Sequence, residues 1–92
     1  MRRLVTIDLS TADLAAFETY EATVLPLVAK HGGRVEMRVR ALDAQSETHL
    51  LFFPNAAAYE RFRSDPERVA VLGVWESSGA TSDGVEVESL LW

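Results

Sequence analysis

The chain has 92 residues, 48% hydrophobic and 25% charged, which suits one soluble globular domain and no more. Nine basic against fourteen acidic residues give a net charge of −5, with the arginines interleaved among acids, so no nucleic-acid partner is expected. Cysteine is absent, which removes disulfides and thiolate metal sites, and no apolar run approaches the roughly 18 residues of a membrane span.

Met1-Arg2-Arg3 leads into a strand pattern containing Asp8, not into a signal-peptide core, and a cytoplasmic location is expected. Arg3 to Leu9 (RLVTIDL) reads as a strand with Val5, Ile7 and Leu9 on one face and Leu4, Thr6 and Asp8 on the other. Ser10 or Thr11 is a fitting N-cap, with Asp13 in the first turn of the helix that follows. That helix is expected from about Ala12 to Lys30. Leu14, Phe17, Val24, Leu25 and Val28 form its buried stripe, Tyr20 and Leu27 flank it, and Glu18, Glu21 and Lys30 point away. Pro26 falls inside and predicts a bend. Gly32 supplies a left-handed stop, and Gly33 releases the chain into the next strand.

Arg34 to Arg40 (RVEMRVR) alternates. It predicts a strand with Val35, Met37 and Val39 toward the helices and Arg34, Glu36, Arg38 and Arg40 away. Ala41 to Thr48 reads as a hairpin connection, and His49 to Phe53 (HLLFF) as a central strand covered on both sides. Pro54 ends it. Asn55 caps a helix over Ala56 to Arg63, with Ala58, Tyr59 and Phe62 inward. Asp65-Pro66 opens a short helix over Glu67 to Leu72. Gly73 to Gly84 reads as a loop holding Trp75, and Val85 to Trp92 as the last strand.

The order β-α-β-β-α-β predicts an α+β ferredoxin-like domain over residues 1–92, a four-stranded antiparallel sheet in the order 4-1-3-2 with both helices on one face. The other face would expose Leu4, Thr6, one side of HLLFF, Leu90 and Trp92. Each large apolar group is worth roughly 1.5–3 kcal/mol when buried, so a second sheet is the expected cover. The expectation is a homodimer closed as a barrel.

Two stretches carry a resemblance: FETYEATVLPLVAKHGGR (Phe17 to Arg34) and LLFFPNAAAYERFRSDPE (Leu50 to Glu67). With its tyrosine-bearing helix, its mid-helix proline, the HGGR close and the Phe-Pro step, the chain resembles the dimeric α+β-barrel superfamily, and within it the DUF1330-type proteins. The chain departs at Phe52, where an acid is common, and at Arg68, where an aromatic is common. The resemblance implies a dimeric barrel. The superfamily includes cofactor-free oxygenases, haem-degrading enzymes, isomerases and proteins without a reaction, so fold alone does not choose among them.

His49, Tyr20 and Arg38 are the candidate catalytic groups, for proton transfer and anion stabilisation. Arg34 and Trp75 are candidate ligand contacts. His31 reads as a helix-end residue, and Trp75 and Trp92 as dimer contacts. His31 and His49 are not expected to converge, and no acid completes a metal set with them, so neither metal nor cofactor is expected. The functional expectation is a cofactor-free oxygenase- or isomerase-like enzyme on a small organic molecule; the competing reading is a non-catalytic small-ligand-binding or structural dimer. A regulatory ligand-binding domain would need a catalytic partner that this chain does not contain.

Overall fold

The structure is a computed structural model and describes residues 1–90. Four strands pair antiparallel: β1 (Arg2–Asp8), β2 (Arg34–Arg40), β3 (Ser46–Phe52) and β4 (Thr81–Val87). Their order is β2-β3-β1-β4, the expected ferredoxin-like order read from the opposite edge. The apolar strands β1 and β3 are central, as their composition requires. The expectation for Trp92 lies outside the described residues.

The long helix α1 (Leu14–Lys30) begins later than the sequence suggests. Asp13 is its cap and not a first-turn acid: the Asp13 carboxylate accepts from the Ala16 amide at 3.2 Å. The helix runs through Pro26 and buries Phe17, Tyr20, Glu21, Val24, Leu27 and Val28. Leu14, expected inside, is exposed, and Glu21, expected outside, is buried.

The His31-Gly32-Gly33 close has two separate jobs. Gly32 adopts a left-handed φ of +80°. Gly33 passes so near β3 that an added Cβ would sit 2.3 Å from the Phe52 carbonyl oxygen. Its amide donates to the Val28 carbonyl at 2.9 Å and so finishes α1.

Strand β2 departs from its alternation. The register shifts between Val35 and Met37, so that Val35 pairs with Leu51 while Met37 pairs with Leu50. Partners in an antiparallel pair share a face. Glu36 is the extra residue of a β-bulge, and beyond it the faces exchange. Arg38 and Arg40 therefore lie on the helix-covered side, with His49 and Glu47, and Met37 and Val39 on the open side. The expected facing is correct for Val35, Arg34 and Glu36 and reversed for the other four.

Strand β3 starts at Ser46, earlier than expected, and buries Glu47, His49 and Leu51 in strict alternation. Helix α2 (Ala56–Arg63) has the expected bounds and cap, with Asn55 accepting from the Ala58 amide at 2.8 Å. Asp65-Pro66 opens α3 (Pro66–Val69) as expected, although the helix is shorter. The expected glycine-rich loop is largely ordered as α4 (Leu72–Ser78) and the first half of β4. Trp75 packs its ring 5.1 Å from Tyr20 and 6.3 Å from Phe17, and this burial against α1 outweighs the weak helix propensity of the Gly/Ser composition. Gly79, at φ +80°, is the helix stop.

The core lies between the sheet and the helices, centred on Phe17, Val28 and Phe53. The opposite face presents Leu4, Leu50, Phe52, Met37, Val39 and Val85, with no helix among the described residues over it. No helix among the described residues is long and apolar enough to cross a membrane.

Candidate functional site

Sheet and helices do not close completely. A cleft of about 280 Å³ opens between β1, β3 and β4 on one side and the helices on the other. Its walls include Tyr20, Tyr59, Phe62 and Trp75; its polar groups include Glu21, His49, Arg3, Arg63 and Arg68. Aromatic walls with a few convergent polar groups are the usual composition of a small-molecule site.

The floor is built by strand alternation. Glu47 and His49 are two residues apart on β3, so both point toward the helices. Both are nearly inaccessible, at 2% and 3% exposure. His49 Nε2 lies 2.6 Å from Glu47 Oε2. The bulged β2 supplies the cations: Arg38 Nε donates to Glu47 Oε2 at 3.1 Å, and Arg40 Nε to Oε1 at 2.9 Å. Arg40 also pairs with Glu18 of α1. Burial alone would raise the Glu47 carboxyl, but the bonds from His49, Arg38 and Arg40 hold it below the ordinary carboxylate value. Glu47 is thus a fixed anion behind His49.

Glu21 completes the constellation from α1 and is 5% exposed. Burial, reinforced by the Glu47 charge, pushes its carboxyl up to about 7. Its Oε2 is shielded and has no hydrogen-bond partner. Two buried carboxyls are thereby driven apart, one held as an anion and one poised near neutrality, the arrangement by which sites divide acid and base roles. Tyr20 is also raised, by burial against the opposing charge of Arg68.

Ligating atoms of Glu21, Glu47 and His49 lie within 4.8 Å of one another, close enough to share a metal ion. The sequence reading foresaw no acid beside His49, and two are there. However, Glu47 already accepts from two guanidiniums, so a dication would meet Arg38 and Arg40 at the same carboxylate. The donor set fits proton transfer better than cation binding.

Of the sequence candidates, His49, Tyr20 and Trp75 meet at the cleft. Arg38 stands behind it, bonded to Glu47. Arg34 is not brought there: it lies on the open face, 4.1 Å above the Phe52 ring and 3.2 Å from Glu36. Trp75 is a core-side wall of the cleft on α4, not a loop residue. His31 is the helix-end residue expected, and its Nε2 lies 2.7 Å from Asp65 Oδ2. Glu21 and Glu47 were missed. The Glu-x-His spacing of Glu47 and His49 would have found one of them had β3 been started at Ser46. Nothing in the local pattern marks Glu21, which follows Tyr20 at the edge of the stripe.

No protein-family model matches the chain, and no curated protein matches it in sequence. Its three-dimensional form, however, is similar to several solved structures. A candidate antibiotic biosynthesis monooxygenase from Nitrosomonas europaea superposes with a TM-score of 0.77 at 10% identity, covering 99% of this chain and 100% of that one. SnoaB, a cofactor-independent oxygenase from Streptomyces nogalater, superposes with a TM-score of 0.72 at 17% identity, covering 98% and 95%. A second candidate antibiotic biosynthesis monooxygenase, from Deinococcus radiodurans, gives 0.73 at 10% identity, covering 99% and 96%. Identities this low speak for architecture and not for chemistry. The chain has the ferredoxin-like α+β fold of the antibiotic biosynthesis monooxygenase structures, a cofactor-independent oxygenase among them.

Proposed function

We propose that the protein is an enzyme that uses no cofactor and begins an oxygenase- or isomerase-like reaction by taking a proton from a small organic molecule in the cleft. The observation that carries the reading is the buried His49–Glu47 pair, backed by Arg38 and Arg40, at the floor of an aromatic-walled cleft. A carboxylate fixed at one ring nitrogen orients the imidazole, so that the other nitrogen is the one that takes the proton. The resulting substrate anion is either reprotonated at another carbon, which is isomerisation, or gives an electron to dioxygen, which opens an oxygenation. Tyr20 and Trp75 confine the substrate, and Arg38 acts through Glu47 as a positioning residue. The fold shared with a cofactor-independent oxygenase supports the oxygenase branch. The kinship with DUF1330-type proteins belongs to the same proposal and rests on the HGGR and Phe-Pro stretches.

The test is carbon-acid exchange. With 2-tetralone in deuterated buffer, the native protein accelerates deuterium uptake at the activated methylene, and His49→Ala loses about 100-fold or more of that acceleration. An unchanged rate in the variant overturns the assignment of His49. Binding of the ketone without exchange turns the reading to a non-catalytic ligand-binding module.

The partner is a second copy of the chain. The open sheet face carries exposed Met37, Val39 and Val85 around half-buried Leu4, Leu50 and Phe52, a patch that a like sheet would cover. A cytoplasmic location completes the proposal.

A further inference from the structure

Among the described residues, two buried side-chain polar atoms have no hydrogen-bond partner: Glu21 Oε2 and Arg68 Nε. They come from different elements, α1 and α3, yet both residues line the same cleft. Native structures pair nearly all such atoms, because an unmet buried group forfeits its hydration without return. One of these two accepts and the other donates.

We infer that Glu21 and Arg68 are the polar anchors of the substrate, and that the substrate carries a hydroxyl for the first and a carbonyl oxygen for the second on one apolar frame. The inference rests on the reading of the cleft as a substrate site and names the substrate class: a hydroxylated carbonyl compound. The frame is apolar because Tyr20, Tyr59, Phe62 and Trp75 wall the same cleft. Arg68 is held for this role. Its Nη1 donates to the Arg63 carbonyl at 3.0 Å, and its guanidinium lies 5.5 Å over the Phe62 ring, which leaves the Nε edge uncommitted. The terminal torsion of a glutamate is soft, so Oε2 turns toward a ligand without backbone movement. The charged and titratable groups around Glu21 are Glu18 and Tyr20 from its own helix, Glu47 and His49 from β3, Arg38 and Arg40 from β2, and Arg68 from α3. Glu47 is committed to Arg38, Arg40 and His49, so it does not compete for the ligand hydroxyl.

Three probes separate the two anchors: phenol offers the hydroxyl, acetophenone the carbonyl, and 3-hydroxyacetophenone both. Binding to the full-length protein is read by ligand-observed NMR titration. The two-function probe is expected to bind at least tenfold more tightly than either single-function probe. Glu21→Gln removes most of the hydroxyl's contribution and Arg68→Lys most of the carbonyl's, while Leu42→Ala, on the exposed hairpin away from the cleft, keeps both. In the native protein the hydroxyl's contribution is larger at pH 8 than at pH 6, because the ionised carboxylate is the better acceptor; in Glu21→Gln it is flat. This profile needs no Arg68 variant and decides the matter if that variant fails to fold. Equal affinities for the three probes, or an unchanged preference in both variants, overturn the inference. So does tight Zn²⁺ binding that depends on Glu21 and displaces 3-hydroxyacetophenone. A two-function preference without deuterium exchange leaves the inference standing and defeats the enzymatic reading; exchange without the preference does the reverse.

Discussion

At the scale of single residues, the site is governed by what burial does to charge. Glu21 and Glu47 are both buried, yet they move in opposite directions because only Glu47 is given cations. A carboxyl raised in the folded state favours folding below its unfolded value and loses that contribution as pH rises through its folded value. For Glu21 the window runs from 4.5 to about 7, worth about 3 kcal/mol at roughly 1.4 kcal/mol per pH unit. Urea unfolding should therefore show stability falling across that window in the native protein, and Glu21→Gln should flatten the decline and be the more stable protein at pH 8. Glu47 acts in the other sense: its contribution is present above its unfolded value and is lost on acidification. Glycines divide in the same way. Gly33→Ala places a methyl group against the Phe52 carbonyl and destabilises the fold, whereas Gly73→Ala, in α4 with open space around it, stabilises by about 0.5–1 kcal/mol. Thermal melts of the pair decide this, and a Gly33→Ala protein as stable as Gly73→Ala would contradict the close approach.

At the scale of elements, Asp65 is the joint between the two halves of the helical layer. Its carboxylate accepts from the Glu67 amide at 2.8 Å, which caps α3, and meets Lys30 Nζ at 2.8 Å and His31 Nε2 at 2.7 Å at the end of α1. Bonds from Lys30, His31 and the Glu67 amide hold its carboxyl well below the usual range. Asp65→Ala should lower the urea midpoint more than Asn55→Ala, which removes a single cap; equal midpoints would show that the joint contributes nothing beyond capping. Elements whose signal was local were legible in the sequence: β1 from its alternation, α2 from Asn55, the end of α1 from the two glycines. What could not be read depended on contacts distant in the chain. Residues 73–84 look like a loop until Trp75 meets Tyr20 and Phe17. Glu21 looks like a surface acid until β3 lies beneath it. The candidate site was half legible, because His49, Tyr20 and Trp75 carry their chemistry in their identity, while Glu21 and Glu47 acquire theirs from the fold.

At the scale of the whole molecule, the sheet separates two tasks. One face builds the cleft; the other keeps an apolar surface, which we propose a like chain covers. For such a dimer the melting temperature rises with protein concentration, and Val39→Asp combined with Val85→Asp yields a monomer by light scattering. A monomeric native protein at micromolar concentration would end the dimer reading. The bulge at Glu36 decides which strand residues serve which task. With it, Arg38 and Arg40 reach Glu47 while Met37 and Val39 turn outward. Without it, strict alternation would send both guanidiniums to the outer surface and strand a bare carboxylate behind His49. One residue of backbone length thus works as a vernier between the two faces. Deleting Glu36 would leave Met37 directly after Val35 and still opposite Leu50, so plain alternation would keep both guanidiniums on Glu47 and both apolar side chains outward; keeping Glu36 but straightening the strand would reverse all four together.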